Sequence, residues 1–156
     1  MNDNDKKLKY KRNNRRKYAR VSVSLDARFV IVNTEIEQGI TSAPIHAKTK
    51  SISLNGTSLV TSIVQVEGLH IASSTSGLGK NHLKMEIDLD GEPKRTIKPI
   101  GEVRWYNLTP ENGELLYNVG VSFLEMSKED REALKTFLVK RRKEDKIHFG
   151  IPRKWF

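Results

Sequence analysis

The 156-residue sequence contains no cysteine, which excludes disulfide bridges, thiolate metal ligands and cysteine nucleophiles. Its longest apolar runs are much shorter than the ~20 residues that a transmembrane helix requires. The N-terminus is charged and lacks the apolar core of a signal peptide. These absences predict a soluble, cytoplasmic protein with one main domain, which is long enough to bury a hydrophobic core.

Residues arranged for catalysis or metal binding are also lacking. Four histidines are scattered without the spacing of a metal site: His46, His70, His82 and His148. The segment Gly77–Lys80 approaches a phosphate-binding loop, but Ser74 stands where that loop needs glycine and Asn81 where it needs Ser or Thr. No nucleophile is paired with a base. We therefore predict that the protein is not an enzyme and that it holds no metal or cofactor.

Charge is distributed unevenly along the chain. Residues 1–20 hold nine Lys or Arg and two Asp, a net charge of +7, and residues 140–156 hold seven basic and two acidic residues, a net charge of +5. The segment between them has 12 basic and 15 acidic residues, a net charge of −3. Basic ends on a mildly acidic body favour contact with anionic partners. Residues 1–14 lack hydrophobic periodicity and are expected to form a disordered basic tail.

The hydrophobic pattern predicts a mostly β protein. Alternation with a period of two residues indicates six strands, near residues 21–32, 44–52, 57–64, 83–89, 95–107 and 115–123. In the fifth strand, Val103 and Trp105 are expected to face inward, and Pro99 indicates an edge or a bulge. Six short strands separated by turn signals predict a small antiparallel barrel.

The period changes to that of a helix near the C-terminus. Ser127 is the predicted N-cap, with the acidic Asp130 three residues later. Apolar residues at positions 134, 137 and 138 predict a helix that packs on the sheet and ends within residues 140–143. The predicted organisation is a basic tail (1–14), one domain (15–143) and a basic, aromatic C-terminal tail (144–156).

Two short motifs are candidates for ligand binding. Arg16 and Arg20 lie in a basic segment directly before the first strand, and guanidinium groups suit phosphates and guanine edges. Ser51, Ser53 and Gly56 lie at the end of the second strand, where hydroxyls offer hydrogen bonds and glycine allows close backbone approach. Either motif alone is a weak signal.

Together, the two motifs resemble those of the PilZ domain, a bacterial receptor module for the second messenger cyclic di-GMP. That family has R-x-x-x-R before its first strand and (D/N)-x-S-x-x-G at the turn after its second. Arg16 and Arg20 match the first motif. Ser53 and Gly56 match the second, whereas Ser51 stands where the family has Asp or Asn.

Two later segments extend the resemblance over most of residues 15–143. Gly101–Trp105 is similar to the family's G-x-V-x-W strand, and Val119–Phe123 is similar to its V-G-V-x-F strand. Arg12 and Arg16 also have the R-x-x-x-R spacing, but Arg20 directly adjoins the first strand, so the later pair is preferred.

The resemblance implies a six-stranded antiparallel barrel with a C-terminal α-helix and a flexible basic N-terminal arm. Cyclic di-GMP, as an intercalated dimer or a single molecule, would lie between arm and barrel. The implied ligand-binding residues are Arg15, Arg16, Arg20, Ser51, Ser53 and Gly56. Binding would change the conformation of the arm and so present a new surface to a downstream protein, whose identity stays open.

Two other functions stay open at this point. Because Ser51 departs from the motif, the chain could be a degenerate PilZ-like domain that binds no nucleotide and acts as a protein-interaction adaptor. Alternatively, the basic ends together with Trp155 and Phe156 could bind nucleic acid or an anionic membrane surface. Binding of the dinucleotide that depends on Ser53 and Gly56 would distinguish the receptor from both.

Overall fold

The computed structural model describes residues 19–33, 40–72 and 81–148. The predicted N-terminal tail (1–14), Arg15 and Arg16 lie outside these ranges, and so do residues 149–156 of the predicted C-terminal tail. The strands are β1 (Val21–Ser22), β2 (Asp26–Asn33), β3 (Ile40–Thr41), β4 (Ile45–Ser53), β5 (Gly56–Thr61), β6 (Gln65–Val66), β7 (Leu69–His70), β8 (His82–Leu89), β9 (Arg95–Ile97), β10 (Ile100–Glu111) and β11 (Glu114–Glu125), and the helix is α1 (Lys128–His148).

Six of the strands close into an antiparallel barrel, as the alternating sequence predicts. Around the barrel, β2 pairs with β4, β4 with β5, β5 with β11, β11 with β10 and β10 with β8, and β8 pairs back with β2. The inward face of each strand fills the barrel: along β8, the four apolar residues at positions 83, 85, 87 and 89 are all buried. The ring is narrowest between β10 and β8, which pair only at Ile100 opposite Lys84 and Gly101 opposite Leu83.

The predicted first strand, 21–32, is divided into β1 and β2. Both segments pair with β4, but the register changes by one residue, from Val21 opposite Ile52 to Ala27 opposite Ala47. The intervening Val23 and Leu25 are nevertheless buried, so the alternation continues through the break. A bulge therefore replaces the continuous ladder without turning the apolar face away from the core.

The side chain of Thr49 holds this bulge together. Its Oγ1 accepts a hydrogen bond from the Leu25 backbone N–H at 2.9 Å and donates one to the Val23 carbonyl at 2.5 Å. Thr49 is buried, so these backbone groups have no access to water and need a partner inside the protein. The hydroxyl supplies the bonds that a regular ladder would have made.

The predicted fifth strand, 95–107, is also divided, at Pro99. β9 ends at Ile97, and the Pro99 carbonyl accepts a hydrogen bond from the Met85 N–H before β10 begins. Further along, the register between β10 and β11 shifts between Val103 and Trp105. Val103 is buried as predicted, but the inward orientation predicted for Trp105 is wrong, because this irregularity shifts the register and Trp105 lies 45% exposed on the barrel.

Helix α1 packs against the barrel through its buried Leu134 and Leu138. Ser127 is its N-cap, since its Oγ accepts the Asp130 N–H at 3.1 Å. The Asp130 carboxylate contacts Arg95 and the Lys98 backbone N–H, which ties the helix to the region of β9. The helix runs to His148, beyond the predicted end within 140–143, because cations favour a helix terminus without imposing one.

The outer face of β8 carries two carboxylates that are neutralised across the sheet. Arg28 on β2 donates to Asp88 at 3.1 Å and to Glu86 at 3.2 Å. Hydrogen bonds from Arg28 and from Thr96 lower the pKa of Asp88 below its ordinary value. These acidic side chains are thus committed to an ion-pair cluster, as expected of a polar strand face.

If the Thr49 hydroxyl holds the bulge, Thr49→Val will lower the free energy of unfolding by about 2 kcal/mol or more, because a buried unpaired backbone group costs about 1–3 kcal/mol. Thr49→Ser keeps the hydroxyl and loses a single methyl, so it should lower the free energy of unfolding by only about 1 kcal/mol. Urea denaturation of both variants is the measurement. A Val variant as stable as the Ser variant would contradict this role.

Candidate functional site

A cleft of about 810 Å³ lies where the β4–β5 turn meets β10 and β11. Its lining residues are Arg20, Ser51, Ser53, Asn55, Gly56, Thr57, Ser58, Arg104, Trp105, Gly120, Val121 and Ser122. Four of the six predicted site residues, drawn from two distant motifs, therefore meet at one cleft. The other two, Arg15 and Arg16, lie outside the described residues.

A second groove of about 840 Å³ lies on the outer side of β4 and holds none of the predicted residues. Two of its lysines are paired: Lys48 with Asp26 at 2.8 Å, and Lys50 with Glu111 at 3.6 Å. Because these cations are already compensated, size alone does not make this groove the better candidate for an anionic ligand. The cleft at the β4–β5 turn has the more suitable chemistry.

Arg20 is positioned by the strand that follows it. β1 pairs with β4, with Val21 opposite Ile52 and Ser22 opposite Ser51, and continuing this register brings Arg20 alongside Ser53. Val21 is buried and anchors the strand, whereas Arg20 is exposed. The guanidinium is thus attached to a fixed point of the barrel while its donors face solvent.

Ser53 is buried at the β4–β5 turn and makes hydrogen bonds within it. It is only 2% exposed, and its Oγ donates to Asn55 Oδ1 at 2.5 Å and accepts the Asn55 backbone N–H at 3.3 Å. The Asn55 carbonyl in turn accepts the Phe123 N–H at 2.9 Å, which fixes the turn to β11. In the structure the Ser53 hydroxyl stabilises the turn, as Ser and Asn side chains commonly do, and its direct contact with a ligand stays a prediction.

Gly56 is required by its neighbouring strand. It lies opposite Ser122 in the β5–β11 ladder, and a Cβ on Gly56 would overlap the carbonyl oxygen of Val121. The absence of a side chain at Gly56 therefore allows the backbone of β11 to lie close to β5. The close approach of a ligand to Gly56 stays a prediction.

Ser51 is half-buried and faces a partner on the next strand. Its Oγ lies 2.8 Å from the Ser58 Oγ, and β4 and β5 shift register at this point. The two hydroxyls form a small, uncharged part of the cleft where the family motif has an Asp or Asn.

Arg104 and Trp105 also line the cleft, although neither is among the predicted site residues. The register shift in β10 puts the Trp105 indole against Gly120, where any Cβ would overlap the ring. Arg104 donates from Nε to Ser122 Oγ at 3.0 Å, which holds its guanidinium beside the cleft. The alternation of inward and outward residues along the strand predicted that Trp105 faces the core. Gly120 on the facing strand was the feature of the sequence that could have indicated a ring lying over β11.

These groups make a site suited to a planar anionic ligand. Arg20 and Arg104 supply cationic donors, and the exposed face of Trp105 offers a stacking surface. Among the described residues that line the cleft none is acidic, so nothing there repels a phosphate. The volume lies within the ~300–1,000 Å³ that is usual for ligand pockets.

Metal-binding and membrane-spanning features are not found in the described structure. Within residues 19–33, 40–72 and 81–148, no three His, Cys, Asp or Glu side chains converge as a metal site would require. In the same part of the chain, no helix has the length and apolar character needed to cross a bilayer.

Comparison with known proteins identifies both a family and a shared fold. The family model of the PilZ domain matches residues 14–140. The search of curated proteins found no match. Among solved structures, the inhibitor of motility (MotI/DgrA) of Bacillus subtilis is similar with a TM-score of 0.54 and 21% identity, over 83% of this chain and 52% of that one.

Two further similar structures are complexes with c-di-GMP. The PilZ domain of YcgR from Escherichia coli with c-di-GMP has a TM-score of 0.57 and 11% identity, over 88% of this chain and 99% of that one. The K. pneumonia MrkH–c-di-GMP complex has a TM-score of 0.57 and 17% identity, over 85% and 55%. The chain thus spans about half the length of MotI/DgrA and MrkH, and at these identities the likeness is one of fold.

Because Gly56 lies against the backbone of β11, we expect Gly56→Ala to destabilise the fold by about 1–3 kcal/mol, the usual cost of overpacking. Ser62→Ala, at an exposed position just beyond the same strand, is the control and should change stability by less than about 0.5 kcal/mol. Thermal or urea unfolding measures both. A Gly56→Ala variant with wild-type stability would show that β11 does not set this requirement.

Proposed function

The chain belongs to the PilZ domain family, and from this membership and the chemistry of the cleft we propose that the protein is a cytoplasmic receptor for cyclic di-GMP. The observation that carries the proposal is the position of Arg20. It lies at one cleft with the β4–β5 turn, although more than thirty residues separate the two in sequence. The receptor would be a binding module that transmits a signal, and it would perform no chemistry on its ligand.

The cleft would hold the ligand through charge, stacking and hydrogen bonds. Arg20 and Arg104 would donate to phosphate oxygens or to the O6/N7 edge of a guanine. The exposed Trp105 ring would stack on a guanine face, an interaction worth about 1–3 kcal/mol per base. The amide of Asn55, at the exposed tip of the turn, would contact an edge of the base. Ser53 and Gly56 would act indirectly, by shaping the turn.

Ser51 would tune the affinity. A serine reaches less far than the Asp or Asn of the family motif, and here its hydroxyl already has Ser58 as a partner. The loss of one hydrogen bond to the ligand corresponds to about 0.5–1.5 kcal/mol, or roughly three- to tenfold in affinity. We therefore expect that the protein binds cyclic di-GMP, but with a lower affinity than it would have with Asp or Asn at position 51.

The basic segment before β1 would form the other wall of the site. Arg15 and Arg16 precede Arg20 closely enough to reach the same phosphates if the arm folds over the cleft. The arm carries many cations and few apolar residues, so a dianionic ligand would supply the attraction that its own sequence lacks. The resulting change in the arm's conformation would present a new surface to a downstream protein.

Calorimetric titration with cyclic di-GMP tests the proposal, with GTP and linear pGpG as ligand controls. Wild-type protein should bind cyclic di-GMP and should bind neither GTP nor linear pGpG. Arg20→Ala should weaken binding by about ten- to a hundredfold, because a charge-assisted hydrogen bond contributes about 1.5–3 kcal/mol. Lys84→Ala removes the same charge from an exposed position on β8, away from the cleft, and should bind like wild type.

The absence of heat and of thermal stabilisation at saturating cyclic di-GMP would favour the degenerate-domain alternative. Equal loss of affinity in both variants would instead indicate a general charge effect. Either result removes the proposed site.

The arm itself is tested by hydrogen exchange over residues 5–20, with and without cyclic di-GMP. Exchange in this segment should slow when ligand is bound, because the Arg16–Arg20 region becomes fixed over the cleft. A variant that begins at Asn14 should retain the affinity, since it keeps all three arginines. If exchange is equal in the two states while calorimetry confirms binding, the arm is not the element that changes.

A further inference from the structure

The β10–β11 hairpin is longer than the strands beside it. β10 and β11 have 12 residues each and pair as far as the turn, where Asn112 and Gly113 take the positive φ angles that hairpin turns commonly need. On one side, β8 pairs with β10 only at Ile100 and Gly101, and on the other, β5 pairs with β11 from Tyr117 onward. The hairpin therefore projects beyond the barrel as a two-stranded ribbon.

The outer edge of this ribbon, residues 104–111 of β10, is what we call the β10 edge. On the side away from β11, no strand within the described parts of the chain pairs with it. In an antiparallel ladder, alternate residues direct their N–H and C=O groups to opposite sides, so about half of the residues of the edge direct theirs away from β11. These backbone groups can form a ladder with a further strand.

The ribbon carries apolar side chains that the fold leaves exposed. Tyr106 and Leu108 share one face with Leu115, which lies opposite Pro110 on β11, and all three large side chains are exposed. The Tyr106 ring contacts the His70 ring at a centroid distance of 5.3 Å, yet it stays 45% exposed. Since a two-stranded ribbon in water is only marginally stable, a further strand on the β10 edge would stabilise it and cover part of this face.

The residues that discourage strand pairing lie only at the two ends of the β10 edge. Charged residues and proline are the usual means by which edge strands avoid pairing with another chain. Arg104 lies at one end, and Pro110 and Glu111 lie at the other. The segment between them, residues 105–109, carries no charge and includes Trp, Tyr and Thr, which favour strands. The centre of the edge is therefore suited to pairing.

The sequence of the β10 edge is complementary to itself. If two copies pair in antiparallel fashion about a two-fold axis at Asn107, each Tyr106 lies opposite the partner's Leu108. Cross-strand pairs of an aromatic and an aliphatic side chain stabilise a sheet. The same register brings the Arg104 end of each copy near the Glu111 end of the other, so that unlike charges meet and like charges stay apart. These features favour a second copy over an unrelated chain.

We propose that the β10 edge pairs with the same edge of a second copy of this chain, so that two ribbons form a four-stranded antiparallel sheet across a two-fold axis. One pair of edge strands is a small contact, at the lower end of the ~1,200–2,000 Å² of specific interfaces, so the dimer is in equilibrium with the monomer. The inference does not depend on dinucleotide binding, because Tyr106, Asn107 and Leu108 do not line the cleft.

Sedimentation equilibrium of the full-length protein tests the proposal. The average mass of the wild type should rise from that of a monomer toward that of a dimer between about 1 µM and about 500 µM, the range of weak association. Leu108→Lys should weaken association about tenfold or more, because it places a charge at the centre of the pairing. Leu124→Lys is the matched control: Leu124 is 46% exposed against 49% for Leu108, but it lies at the opposite end of the hairpin and should associate like wild type.

Because the chain has no cysteine, a single introduced cysteine tests the register. Directly opposite residues of antiparallel strands have Cα atoms about 4.5–5.5 Å apart, a separation that a disulfide bridges. Asn107→Cys should therefore form a disulfide-linked dimer on mild oxidation, whereas Leu124→Cys should not. This pair of variants keeps Leu108 and replaces the first test if Leu108→Lys fails to fold by circular dichroism.

Three results would overturn the proposal. The first is a monomeric mass of the wild type at every concentration. The second is association that folded Leu108→Lys weakens no more than Leu124→Lys does. The third is disulfide formation by Asn107→Cys that is no more efficient than that of Leu124→Cys, which would show that the two-fold axis does not pass through the β10 edge.

Discussion

The pairing of β1 with β4 is the constraint on which the candidate site depends. Val21 is buried opposite Ile52, and this single pair fixes where the chain enters the barrel. Arg20, one residue earlier, is therefore held beside the β4–β5 turn. The bulge that follows is stabilised by the Thr49 hydroxyl, so the entry point does not depend on a regular ladder. Arg20 and the turn residues Ser53 and Gly56, far apart in sequence, thus line one cleft.

A second irregularity, in β10, completes the cleft from the other side. Between Val103 and Trp105 the register shifts, and the indole leaves the core and lies over Gly120 on β11. A regular strand would have buried Trp105 and left the cleft without an aromatic surface. Both walls of the site therefore arise where the barrel departs from regular pairing, which is where bulges commonly re-aim side chains in β proteins.

The sequence was sufficient for the architecture because alternation survives the bulges. Val23 and Leu25 are buried although they belong to no strand, so the six-strand barrel and its core were predictable from the period of two residues alone.

The orientation of Trp105 was not predictable from this alternation, since a register shift reverses the face of each later residue. The hydrogen bond from Ser53 to Asn55 was not predictable either, because this contact exists only after folding. Helix α1 extends past the predicted end because no Gly or Pro stops it.

We propose that cyclic di-GMP binds between Arg20 and the β4–β5 turn. Nuclear magnetic resonance of the ¹⁵N-labelled protein tests it most directly, through the backbone amides of Asn55 and Gly56 and the indole N–H of Trp105. We expect these three signals to shift on addition of cyclic di-GMP, while amides of the groove beside Lys48 and Lys50 stay in place. Saturable shifts confined to that groove, or the absence of any shift at saturating ligand, would contradict the claim.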